Sequence, residues 1–166
     1  MDGDRPDTMS LRGLSGACVA LLLAAVLSAC QIMDLRPGGS AVGASGSGFT
    51  AMTDIRRQAG QPPLSPDARL ERAAIRQAGY MAASGRMAHD TGAGRDFARR
   101  MKRDGVAAPA AENLAHGRMD VARLFSMWEA SAGHRRNMHD PRFTRYGLAH
   151  AAGPDGQRYW ALVLGR

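Results

Sequence analysis

The sequence predicts an α+β fold, on three observations. Hydrophobic residues recur at helical spacing from Phe49 to Trp128, whereas strand-like alternation is confined to the stretch after Arg145. Helices therefore come first and strands last, the order of an α+β domain rather than of a doubly wound α/β sheet. Third, 166 residues at 45% hydrophobic suffice for one domain with a real core, and not for two.

Residues 1–30 read as a targeting segment. An apolar run, Ala17–Leu27, has the length of a signal-peptide core and is too short to anchor stably across a bilayer. The first eight residues carry three aspartates, wrong for a positive leader, so translation from Met9 is expected. The segment ends Leu27-Ser28-Ala29-Cys30, which resembles a bacterial lipobox whose cysteine is diacylated and becomes the new N-terminus. Gln31 rather than aspartate follows, the pattern of lipoproteins sent to an outer membrane. Residues 31–48, rich in glycine and serine, read as a flexible tether. Lipid and tether together predict a bacterial envelope location: membrane-anchored through Cys30, extracytoplasmic, on the periplasmic face or at the outer membrane. Cys18 and Cys30 are the only cysteines, so the domain at 49–166 is expected to hold without a disulfide.

Within that domain, Phe49–Gln58 reads as a short helix ended by Gly60 and Pro62-Pro63. Ser65-Pro66-Asp67 reads as a helix start, with serine as cap, proline first and aspartate in the first turn. Leu70, Ala74, Ala78 and Met81 form its buried stripe, and Gly85 ends it. A turn-rich loop carries His89, and Phe97–Asp104 is a short basic helix stopped by Gly105. Glu112–His116 follows a loop of small residues and receives no assignment. Val121, Leu124, Phe125 and Trp128 fall at i, i+3, i+4 and i+7, one buried helical stripe. That helix is expected to stop at Ala132-Gly133, with glycine in the left-handed conformation and His134 to Asn137 emerging at the turn. Arg145–Ala152 and Gln157–Leu164 read as a hairpin around Pro154-Asp155-Gly156. Tyr146, Leu148 and His150 share one face of its first strand; Trp160, Leu162 and Leu164 share one face of the second.

Net charge is +7, without a run of five basic residues or interleaved aromatics, so nucleic acid is not an expected partner. Arg99, Arg100, Lys102 and Arg103 read as a solvated helix face, or as contacts for anionic headgroups or cell-wall polymers near a membrane. Ser131 beside His134 suggests a nucleophile less readily than a helix cap. His116, His139 and His150 show no carboxylate partner at an informative spacing.

Several spaced motifs together resemble the CAP superfamily of cysteine-rich secretory, antigen 5 and pathogenesis-related proteins, in its short bacterial form. They are Met87-Ala88-His89-Asp90, Glu112-Asn113-Leu114-Ala115, Trp128, Ser131-x-Gly133-His134-Arg135-x-Asn137, Pro141-x-Phe143, Tyr146-Gly147 and Tyr159-Trp160. The resemblance covers about 49–166 and implies a three-layer α-β-α sandwich with a central, mainly antiparallel sheet. It also implies a cavity in which His89, Glu112 and His134 occupy three of four family positions, two histidines and two acids able to hold a divalent metal. Ser131 stands at the fourth, acidic position. Glu129 cannot replace it, because on one helix the two would point about 160° apart.

His89, Glu112 and His134 suit Zn²⁺ in chemistry, with Glu112 as candidate general base; the same groups could instead form a metal-free, hydrogen-bonded cluster. Three function classes follow. The first is a binding or scaffolding module of the envelope, expected as a monomer, recognising a lipid, a glycan or an envelope protein. The alternatives are a metal-dependent hydrolase acting on peptide or envelope polymer, and a purely structural domain.

Overall fold

The computed structural model describes residues 40–166; the leader, Cys30 and the tether up to residue 39 lie outside them. In chain order the elements are β1 (Ala41–Gly43), α1 (Ser45–Gln58), β2 (Ser65–Pro66), α2 (Ala68–Ser84) and α3 (Phe97–Arg103). After them come β3 (Ala111–Gly117), α4 (Val121–Ala130), α5 (Ala132–His139), β4 (Arg145–Ala152) and β5 (Arg158–Gly165). The sheet runs β1-β4-β5-β3 with antiparallel neighbours, and β2 adds a two-residue parallel pairing to β4.

Period-two alternation in the sheet sorts the core into two halves. Trp160, Leu162 and Leu164 of β5, with Tyr146 and Leu148 of β4, pack under α1, α4 and α5. Tyr159, Ala161 and Val163, with Ala149 and Ala151, pack against α2 and α3. This is the three-layer α-β-α sandwich, and the predicted hairpin faces are the observed ones. Leu70, Ala74, Ala78 and Met81 are all buried, and Gly85 caps α2 at φ +63°. Gly147 lets α2 lie directly on β4, because a Cβ there would run into the backbone of Leu70 and Glu71.

Three local expectations and one unassigned segment are decided by tertiary packing. The tether shortens, since residues 41–43 pair with Ala149–Ala151 and α1 starts at Ser45. Glycine and serine serve close packing there: a side chain at Gly48 would meet Leu148 and Phe125. Helix α2 begins after Asp67, whose carboxylate accepts from the backbone N–H groups of Arg69 and Leu70 at 2.8 and 3.0 Å. Ser65-Pro66 is spent on pairing with β4 instead. Glu112–His116 is strand, paired residue for residue with β5.

The third correction concerns the Trp128 helix. It breaks at Ser131, in extended conformation (φ −94°, ψ 119°), and Gly133 lies inside α5 without a positive φ. Ser131 is the N-cap residue of α5, but its hydroxyl makes no capping bond. The bend aims α5 so that Met138 is fully buried in the core. With the helix broken at Ser131, the 160° relation between positions 129 and 131 does not apply. Arg56, fully buried, closes the far end of α5 by donating to the carbonyls of Met138 and Asp140 at 3.0 and 2.9 Å.

Trp128 is inaccessible to solvent; its indole N–H donates to the Leu114 carbonyl at 3.1 Å and its ring meets Phe125 edge-on at 5.5 Å. Trp128→Ala is expected to cost about 3–5 kcal/mol of unfolding free energy, as large-to-small core changes do. Met127→Ala, one residue away and exposed, is expected to stay within about 0.5 kcal/mol. Denaturant titration of both variants checks this; a near-wild-type midpoint for Trp128→Ala refutes it.

Candidate functional site

Strand β3 sends successive side chains to opposite faces of the sheet, so Glu112 and Asn113 serve different layers. Glu112 points to the α2–α3 layer and is 6% exposed. Arg100 reaches it from α3, with Nη1 to Oε2 and Nη2 to Oε1 both at 2.8 Å. This is a two-point, charge-assisted fork, with both side chains 1% exposed. The guanidinium also donates to the carbonyls of Arg95 and His89 at 2.9 and 3.2 Å, so one side chain holds strand, helix and loop. Gln77, fully buried on α2, adds a 2.7 Å bond to the Ala88 carbonyl.

His89 completes this half of the site, its Nδ1 lying 2.8 Å from Glu112 Oε1. Its side chain is 60% exposed, so Glu112 orients an imidazole whose outer edge faces water. Asn113 works on the other face. It donates to the His134 carbonyl at 3.1 Å and accepts from Asn137 Nδ2 at 2.9 Å, binding α5 to the strand. Arg135 closes the α4–α5 bend through the Glu129 carbonyl at 2.9 Å, while the Glu129 carboxylate pairs with His139 at 2.9 Å. His139 thus has a carboxylate partner that sequence spacing did not reveal, as does His116, 3.7 Å from Asp155.

The structure joins His89 to Glu112 by a direct hydrogen bond, and His89 is near enough to His134 for its charge to be felt there. Among the described residues no hydrogen bond or ion pair links His134 to either, and its Nδ1 is buried without a partner. Burial, and secondarily the field of His89, push the His134 imidazole below its usual range, so it stays neutral to lower pH than a free histidine.

Glu112 is not free to act as an anionic metal ligand in this arrangement, whereas Nε2 of His89 and the His134 ring are not engaged by it. Both Glu112 oxygens are engaged by a permanently charged guanidinium, and His89 spends Nδ1 on the same carboxylate. Among the described residues no three His, Cys, Asp or Glu side chains are disposed to hold a metal ion. Surface hollows of about 300 to 370 Å³ lie elsewhere, and none of these is lined by His89, Glu112 or His134. The same pairing leaves Glu112 poorly placed to accept a proton from water.

Arg100 is the residue that sequence reasoning missed, because a charge on a basic helix reads as solvated; it is in fact fully buried. The usable signal was spacing. Phe97, Arg100 and Met101 fall at i, i+3 and i+4, the pattern of an inward stripe.

Removing Arg100 strands a buried carboxylate. Arg100→Met is expected to cost about 3–5 kcal/mol, the range for breaking a buried pair from one side. Arg100→Met with Glu112→Gln is expected to cost less than the two single changes added together. Strict additivity in a double-mutant cycle would refute the coupling.

Solved structures share this architecture. An outer surface protein of Borrelia burgdorferi superposes with a TM-score of 0.64 at 17% identity, over 77% of this chain and 98% of that one. An extracellular protein of Bacillus anthracis containing an SCP domain gives 0.62 at 27% identity, over 73% of this chain and 39% of that one. The CAP domain of enterococcal PrgA gives 0.55 at 18% identity, over 72% of this chain and 59% of that one. This chain therefore spans less than two thirds of the last two. The first and third likenesses, at these identities, concern the fold alone. No match is found among curated proteins. The model of the cysteine-rich secretory protein family, CAP, matches residues 49–164, from α1 to the end of β5. With that match over most of its length, the chain belongs to the CAP family.

Proposed function

We propose that this chain is a binding or scaffolding module of the bacterial cell envelope, extracytoplasmic and membrane-anchored through lipid on Cys30. One observation carries the non-catalytic half of this reading: the Arg100 fork consumes Glu112. A carboxylate with both oxygens on a buried guanidinium acts as a structural tie, and Glu112, the candidate base of a hydrolase, holds the His89 loop to β3 in this reading. The anchored half rests on Leu27-Ser28-Ala29-Cys30 after an apolar run. It draws support from the outer-surface and extracellular settings of two structural neighbours.

Isothermal titration of the full chain in mild detergent with Zn²⁺ tests the first half. No tight one-to-one binding is expected in wild type or in His134→Ala. Tight binding by wild type that disappears in His134→Ala or Glu112→Gln would restore the metallohydrolase reading.

Metabolic labelling with a palmitate analogue tests the second half. Label is expected on wild type and not on Cys30→Ala, with wild type in the membrane fraction. Two acyl chains supply the two signals that stable anchoring requires. Equal labelling of both, or a soluble wild-type pool, would refute the anchor.

A further inference from the structure

Helix α3 presents more positive charge to solvent than its clamp function needs. Arg100 and Met101 turn inward, while Arg99, Lys102 and Arg103 turn outward. Arg99 and Arg103 side chains are 72% and 45% exposed. The acids of the same segment are less available. Asp96 caps the helix through the Arg99 N–H at 3.0 Å and pairs with the Arg99 side chain at 3.2 Å. The Asp104 carboxylate is 2% exposed, paired with Arg76 at 2.6 Å and more loosely with Arg103 at 3.6 Å. Beside these cations lies a hollow of about 360 Å³ lined by Phe97, Ala98, Met101, Val106 and Ala108, with Lys102 at its rim. Lys102 has no acid partner among the described residues, and Arg99 and Arg103, though each is paired with one acid, keep most or nearly half of their side chains in solvent. An apolar hollow edged by these cations complements an amphiphile with an anionic head.

We propose that the outer face of α3, with the apolar hollow beside it, docks the domain onto an anionic phospholipid surface. This rests on the envelope reading above, because the anchor supplies proximity. In the sheet, β3 lies at the edge opposite β1, three strand spacings or about 14 Å away. Residues 31–40 separate Cys30 from β1, and ten residues span at most about 33–36 Å. Covalent reach therefore permits a domain anchored at Cys30 to turn its α3 edge to the bilayer. Tethering also makes the contact intramolecular, so a weak face suffices at the resulting high effective concentration.

The test uses the full-length chain carrying Cys30→Ala, which removes the lipid and leaves the rest intact. Its partition is measured by co-sedimentation with vesicles of phosphatidylglycerol and phosphatidylcholine, and with pure phosphatidylcholine. Each basic side chain near an anionic surface is worth about fivefold in partitioning. Arg99→Glu with Lys102→Glu is therefore expected to lower partition onto the anionic vesicles at least tenfold. Arg123→Glu with Arg136→Glu changes the charge equally at exposed positions on α4 and α5, in the other layer, and is expected to leave partition within about twofold.

Ala98→Asp, which puts a charge in the hollow, is expected to lower the binding that survives at high salt. Unchanged circular dichroism and melting of each variant show that the fold persists. A loss below threefold in the α3 variant, an equal loss in the Arg123 and Arg136 variant, or equal binding to neutral and anionic vesicles would overturn the proposal. Palmitate labelling of wild type is read separately, so a lipidated chain with an indifferent α3 face refutes the docking surface and spares the anchor.

Discussion

The buried ion pair between Glu112 and Arg100 is the constraint around which one edge of this domain is assembled. A single fork joins β3, α3 and the carbonyl of His89, three segments with few other reasons to meet. Such a pair is a poor source of net stability, since desolvating two charges costs nearly what their attraction returns. Its effect is on specificity: a misplaced α3 leaves a charged carboxylate without a partner in the core. Asn113, pointing the opposite way, does the equivalent for α5 through amide hydrogen bonds. An edge strand of two adjacent polar residues thus fastens both helical layers, and the period of two assigns one residue to each. The same strand is spared the usual hazard of an open edge, because Glu112 to Ala115 are all buried.

The family resemblance implied a cavity of converging histidines and acids, and in the structure each of those positions also has its own hydrogen-bond partners. His89 belongs with Glu112; His134 belongs with Trp128, whose ring lies 6.3 Å from its own, and with the Asn113 bond to its backbone. Ser131, where the family pattern allows an acid, is the bend between α4 and α5 and makes no side-chain cap. A fold shared with proteins at 17 to 27% identity says little about chemistry, which resides in the contacts of particular side chains.

Much of the fold was legible where local pattern and burial agree. The stripe Leu70, Ala74, Ala78 and Met81 and the alternation of β4 and β5 have one reading, and the core confirms it. Legibility failed where tertiary contacts outvote local preference. Ala111–Gly117 contains alanine, glutamate, asparagine and histidine, poor strand formers taken singly, and is a strand because β5 pairs with every residue of it. Gly133 looked like a helix stop, yet the bend came two residues earlier, where burying Met138 requires it. Arg100 read as solvent-facing because arginine usually is, and Arg56 carried no signal of its own. Both sit at i+4 and i+3 from inward-facing apolar residues, Met52 and Phe97, and both spend their donors on backbone carbonyls or a carboxylate that only the folded chain brings near. For the candidate site, local pattern could not group His89, Glu112 and His134, which lie on three separate segments; the grouping came from the family resemblance, and the His89–Glu112 bond is one part of it.

Ser45, read from composition as part of a loose linker, is 3% exposed and bonded three ways. Its N–H donates to Glu71 of α2 at 2.9 Å, its hydroxyl oxygen accepts from the Leu148 N–H at 2.9 Å, and its carbonyl accepts from the Tyr146 hydroxyl at 2.7 Å. Mechanically this is a strain-relief point. Tension entering at the N-terminal end first meets the short β1–β4 pairing, and then a residue bolted to both α2 and the central strand. A pull is thereby shared with the interior of the sheet before it can unwind α1, so the end of the domain nearest the leader is its reinforced end.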